Sequence, residues 1–151
     1  MKYNCCQIGR FVVHNFQYTD TVVMQQIEKE NFTKIQVAQG YTNCSIAQVS
    51  DNAAIVTDRK IAEVLKKQGI DVLCLADSLE INLFSTDGKI SSMRGLIGGA
   101  MARIGDKMIL FGDLRMIDTK GEIRKFVENY QLEMVDFEGL DVMDYGGILE
   151  I

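Results

Sequence analysis

Short apolar runs and helical stripes alternate along this chain in a fixed order. Three segments, "RFVVHN", "NAAIVTD" and "DKMILFGD", are rich in β-branched or aromatic residues, and each ends at a polar cluster, as a buried strand does. After each comes a helical pattern and then another strand. "DTVVMQQIEKENF" leads to "KIQVAQG", "DRKIAEVLKKQG" to "DVLCLAD", and "DTKGEIRKFVENY" to "LEMVDFEG". A further strand candidate precedes each group: "NCCQIG", "NCSIAQV" and "GLIGGAMARI". The joints "GR", "SDN" and "GD" between leading strand and partner suit tight turns, because glycine, aspartate and asparagine tolerate positive φ. The unit is a hairpin, a helix and a returning strand. Its period of about 45–50 residues points to a propeller-like or array architecture, with a doubly wound sheet as the plainer alternative.

The second copy shows the physics best. Asp58 is placed to cap a helix whose Ile61, Val64 and Leu65 share one face, Glu63 and Lys67 sit at pairing distance, and Gly69 supplies a left-handed stop. In the third copy, Thr119 and Glu122 have capping-box spacing ahead of the stripe Ile123, Phe126, Val127 and Tyr130. The closing "LDVMDYGGILEI" reads as one more strand pair with no helix behind it, so the single α/β domain over residues 1–151 holds about three and a half ββαβ modules. A repeat assembly that stops in mid-unit leaves a sheet edge to be covered, so a second copy or a separately encoded N-terminal partner is expected.

Composition narrows the function classes. Apolar residues make up 47% of the 151 and charged residues 25%, and no apolar run approaches the about 20 residues of a membrane span. The start "MKYNCCQIGR" lacks the apolar centre of a signal peptide, which makes the cytoplasm the expected compartment. There Cys5, Cys6, Cys44 and Cys74 read as reduced thiols, and Cys5-Cys6 lacks the spacer of a metal knuckle, so no metal and no cofactor is expected. A net charge of −5 argues against a nucleic-acid partner, whose phosphates call for clustered Lys and Arg. The basic run "RKIAEVLKK" has helical spacing around an apolar stripe and reads as a solvated face.

"HNFQYTD", "QGYTNCSIAQVSDNAAIVTD", "KKQGIDVL", "IGGA" followed by "FGDL", and the closing "LDVMDYGGILEI" together resemble the C-terminal part of an uncharacterised bacterial family with the GME or pentein fold, named for glycine amidinotransferase. The resemblance runs over nearly the whole chain and implies ββαβ modules around a pseudo-fivefold axis, a partial β/α-propeller. Similar proteins carry further N-terminal modules, so the chain looks like a split or truncated version. Where they read as "GGASG", this one has "GGAMA".

Catalytic relatives of that fold attack guanidinium or amidine carbons with a cysteine, aided by a histidine and by carboxylates that hold the cation. The residue types suit the chemistry: a thiolate attacks, an imidazole moves the proton, and a carboxylate matches a planar guanidinium. His14 is the sole imidazole, at a strand end beside Asn15, where support of a neighbouring carbonyl is the competing role. Cys44, in the polar "GYTNCS", is the first choice of nucleophile, while Cys74 inside "VLCLA" reads as core. The relatives' cysteine belongs to the closing segment, and here that segment has none. Asp20 completes the candidate catalytic set. Candidate ligand residues are Asn15, Asp51, Asn52, Asp58, Gly98, Gly99 and Asp113. Most of the aspartates read as helix caps or turn formers, and the glycines as points of close backbone approach. The leading expectation is a non-catalytic or diverged binder of a small polar or cationic ligand near the module axis. Alternatives are a cysteine-dependent hydrolase or amidinotransferase on guanidino compounds, and a protein-interaction module.

Overall fold

A computed structural model describes residues 1–75 and 79–147. In the first sheet β1 (Cys6–Ile8) runs antiparallel to β2 (Phe11–His14), α1 (Thr21–Lys29) crosses over, and β3 (Thr33–Gln36) returns parallel to β2. The second sheet has the same order. The single turn α2 (Thr42–Ser45) enters β4 (Ile46–Ser50), which pairs antiparallel with β5 (Ala53–Val56), and α3 (Arg59–Lys67) brings β6 (Asp71–Cys74) back parallel to β5. Next come a short strand β7 (Asn82–Leu83) and a second single turn α4 (Ile97–Ala100). The third sheet of this kind holds β8 (Met101–Ile104), β9 (Lys107–Leu110), α5 (Glu122–Asn129) and β10 (Glu133–Val135). Finally β11 (Met143–Asp144) lies parallel to β7 in a sheet of two strands.

Local chemistry explains these elements. Each middle strand gives way to an aspartate that caps the next helical turn: Asp20 accepts from Val22 N, Asp58 from Lys60 N and Ile61 N, and Asp113 from Arg115 N at the start of a 3-10 turn. On α3, Ile61, Ala62 and Leu65 are buried under an exposed face of Lys60, Glu63, Lys66 and Lys67. The helix stops at Gly69, whose φ of +80° lets Ile70 N reach back to Leu65 O at 3.2 Å.

Strand β5 ties the fold together. Its side chains alternate between two cores, Ala53 and Ile55 joining one and Ala54 and Val56 the other, and all four have no exposed surface. Burying an isoleucine such as Ile55 is worth roughly 1.5–3 kcal/mol, so this strand anchors both cores at once.

Several expectations from the sequence need correcting. Cys44 and Gly98–Gly99, read as strand residues, lie in the single turns α2 and α4. Helix α5 is not started by a Thr119–Glu122 box; the Asp118 carboxylate accepts from Ile123 N at 2.9 Å and Arg124 N at 3.0 Å instead. Nor does the sequence reveal a strand at β7, the partner of β11, whose two residues are too few to show a period. The rest of the expected closing strand pair, residues 148–151, lies outside the described residues.

Candidate functional site

Two polar regions compete for the role of site. The first is a buried junction where α2, α4 and the residues after β11 meet. The Asn4 side chain holds the start of α2: its Oδ1 accepts from Asn43 N at 3.0 Å and Cys44 N at 3.4 Å, and its Nδ2 donates to Cys44 Sγ at 3.1 Å. The Cys44 thiol donates in turn to Gly146 O at 3.3 Å. Burial pushes the Cys44 pKa above its ordinary value, the Asn4 amide opposes that shift, and the Asp144 carboxylate adds to it. Asp144 accepts from Leu96 N at 2.8 Å and Gly146 N at 2.7 Å.

His14 has no exposed surface. Its Nδ1 lies 3.1 Å from Thr42 Oγ1, and that hydroxyl also lies 2.6 Å from Asn4 O and 2.8 Å from Val13 O. A hydroxyl has one proton, and the two carbonyls compete for it. Nδ1 then donates to the hydroxyl, so the ring carries a proton on Nδ1. Among the described residues Nε2 has no hydrogen-bond partner. Burial lowers the His14 pKa, against an opposing contribution from the Met1 main chain. No hydrogen bond joins His14 to Cys44; the contacts between them pass through Thr42 and the Asn4 main-chain carbonyl, which carries no proton.

The remaining candidates are scattered. Asp20 caps α1 and accepts from Tyr3 Oη at 3.1 Å. Asp51 and Asn52 form the β4–β5 turn, at the opposite end of β5 from Asp58. Asp113 is held by both nitrogens of a forked Arg115 contact (2.6–3.2 Å) and by Gly139 N at 2.8 Å, and the guanidinium keeps its carboxyl well below the usual carboxylate range. Gly98 backs onto the carbonyls of Asn43, Cys44 and Ile46, and Gly99 onto the Asp144 carboxylate, so a methyl at either position would collide with the protein itself. Sequence reasoning missed Asn4 and Thr42. The repeated Asn-Cys pair was the available signal, since Asn4 of the first pair meets Cys44 of the second.

The second region is an open groove at the C-terminal ends of β2, β3 and β5, the end of a parallel strand where ligands of α/β proteins gather. It comprises two adjoining cavities of about 500 and 510 Å³ that share Gln39, Asp58 and Lys60. One side carries Thr57, Arg59 and Arg94, the other Asn15, Gln17 and Gln36. Asn15 is fixed by donating to Ala38 O at 2.9 Å and accepting from Gln36 Nε2 at 3.2 Å. Of the predicted residues, Asn15 and Asp58 reach this groove, and Cys44 and His14 do not line it.

The sequence model of a family of unknown function, DUF6873, matches residues 1–149. The chain belongs to the DUF6873 family. No curated protein matches it. Among solved structures, this DUF6873 domain is similar to C. jejuni agmatine deiminase, with a TM-score of 0.54 at 13% identity over 95% of this chain and 52% of that one. The substrate-bound cysteine-to-serine variant of that enzyme gives a TM-score of 0.54 at 14% identity over 88% of this chain and 49% of the other. At such identities the likeness shows the fold, which is pentein-like. The DUF6873 chain spans about half the length of these structures. No helix among its described residues is long and apolar enough to cross a membrane.

Proposed function

We propose that the domain binds a small polar ligand in the groove at the ends of β2, β3 and β5, without catalysing its conversion. One contrast carries this reading: the groove presents polar side chains to open space, whereas the Cys44 thiol is spent on Asn4 and Gly146 and His14 is turned to Thr42. Cysteine-dependent chemistry on a guanidino compound, which the name of the agmatine deiminase neighbour suggests, needs an activated thiolate within reach of a proton-transfer group. Burial here favours the protonated thiol. Incubation with agmatine is therefore expected to release no ammonia, and Cys44 is expected to react with a thiol reagent at pH 7 more slowly in the folded chain than in urea. Ammonia release that disappears in Cys44→Ser would overturn the proposal.

A second reading, self-association, is favoured by an exposed aromatic row. Phe84, Tyr145, Phe111 and Phe137 follow one another with ring centroids 5.2–6.3 Å apart, and Phe84, Tyr145 and Phe137 are 47%, 58% and 43% exposed. Contiguous apolar surface of this kind marks an interface. The occupant we propose is a second copy, whose identical row would meet this one across a twofold axis. Light scattering should show a dimer that Tyr145→Glu disrupts; a monomer at every concentration would refute it.

A further inference from the structure

Each of the two cores forms where the outward face of one three-stranded sheet meets the crossover helix of the next, and the same two surfaces recur unmatched on the first and third sheets. We infer that the outward face of the β8–β9–β10 sheet docks on the α1 side of a second copy, so that copies join head to tail. The pairing rests on the self-association proposed above and names further surfaces for it. In one core Cys6, Ile8, Val13 and Ile35 of the first sheet pack with Ile61 and Leu65 of α3. In the other, Ala47, Val49 and Ile55 of the second sheet pack with Ile123 and Val127 of α5. Val13, Ile55 and Ile109 hold one and the same position, each in the third parallel pair of its middle strand, opposite Ile35, Leu73 and Val135. Val13 and Ile55 have no exposed surface, whereas Ile109 is only partly buried. Ala102, Ile104 and Val135 share its face and its partial burial, and among the described residues none of these side chains belongs to either core.

The mating surface is the α1 side of the first sheet. All three crossover helices end alike: a residue at positive φ, Asn31, Gly69 or Gln131, lets the next main-chain N–H reach back into the last turn, from Phe32 to Ile27 O, Ile70 to Leu65 O and Leu132 to Val127 O. Counted back from that stop, Val23 matches Ile61 and Ile123. Ile61, Ile70, Ile123 and Leu132 are at most 6% exposed, each packed in a core with the preceding sheet. Val23 and Phe32 are apolar too, yet only partly buried. Val22, 68% exposed, stands where the covered helices carry Lys60 and Glu122, which widens the apolar stripe of α1. The sheet face and the α1 side are thus the two halves of a contact that the chain makes twice internally, and a second copy carries both halves. Two unlike faces give a heterologous contact, and a ring of two copies makes it twice about the twofold axis proposed for the aromatic row. Phe111 and Phe137 of that row lie just past the ends of β9 and β10, beside the outward face.

The test is light scattering of the full chain and of two variants, Ile109→Glu in the sheet face and Val23→Glu on the α1 side. Each variant alone should dimerise about tenfold or more weakly than the parent, because a carboxylate would be buried without a partner at the contact. An equimolar mixture should recover a heterodimer, since the intact sheet face of one variant meets the intact α1 side of the other. Urea unfolding shows that each variant is folded, and Ile104→Glu, at the end of β8, takes the place of Ile109→Glu should that chain fail to fold. Weakening without recovery in the mixture would overturn the head-to-tail pairing. Variants that dimerise like the parent, while Tyr145→Glu does not, would overturn it as well and leave the self-association standing. A parent that is monomeric at every concentration would remove both.

Discussion

The junction around Asn4 and the groove around Lys60 are built from similar side chains, yet they stand in opposite condition. At the junction Asn4, Thr42, Cys44 and Asp144 each find partners within the chain, and glycines 98 and 99 let the segments touch. At the groove Lys60, which forms no ion pair among the described residues, lines both cavities. A polar cluster that satisfies itself is a fastening; one that leaves donors toward open space is prepared for something else. The residues that looked most like catalysts belong to the fastening.

The largest expected effect breaks the junction. A Cβ on Gly99 would occupy the space of the Asp144 carboxylate, so Gly99→Ala must displace Asp144 from Leu96 N and Gly146 N or push α4 off β11. Overpacking of this kind is expected to destabilise by about 1–3 kcal/mol. Lys60→Ala, in the groove, should stay within about 0.5 kcal/mol of the parent in the same urea titration. Equal effects would erase the distinction between the two regions.

A smaller effect sharpens it. Asn4→Ala removes the acceptor for Asn43 N and Cys44 N and the donor to the thiol. The loss should resemble that of a helix N-cap, about 0.5–2 kcal/mol. It also removes the one side-chain contact that lowers the Cys44 pKa, so thiolate titration of Cys44 should shift further up. A thiolate that forms at lower pH in the variant would mean that Asn4 restrains the thiol instead of supporting it.

Much of this contrast was out of reach of the sequence, for a physical reason. Elements long enough to show a period were legible: α3 with its Asp58 cap and Gly69 stop, and the buried run of β5 beside parallel β6. The turns α2 and α4 have four residues each, too few for a stripe, and owe their shape to each other through Gly98 rather than to local propensity. Cys44 and His14 stood out by type, but whether they meet depends on how β2 sits against α2, and Thr42 comes between them. The groove gathers residues from 15 to 96, a contact pattern that only folding creates.

The subtlest way to probe the junction is pH. His14 is held neutral, its folded pKa lying below the ordinary 6.5 because burial penalises the charged ring. In the unfolded chain the ring protonates first as pH falls, so between the two values the unfolded state binds more protons. The stability that the neutral ring contributes is thus present above pH 6.5 and is lost as pH drops toward the folded value. Urea midpoints between pH 7.5 and pH 5 should fall in the parent chain, and fall less in His14→Asn, which keeps a donor for Thr42 and cannot titrate. The Asp113 carboxyl, held low by Arg115, adds its own loss only in stronger acid, below its ordinary 3.8, so the two contributions separate along the pH axis. A parent whose midpoint does not change down to pH 5 would mean that the imidazole can be protonated where it sits, with Nε2 finding an acceptor. The junction would then not be the closed fastening that distinguishes it from the groove.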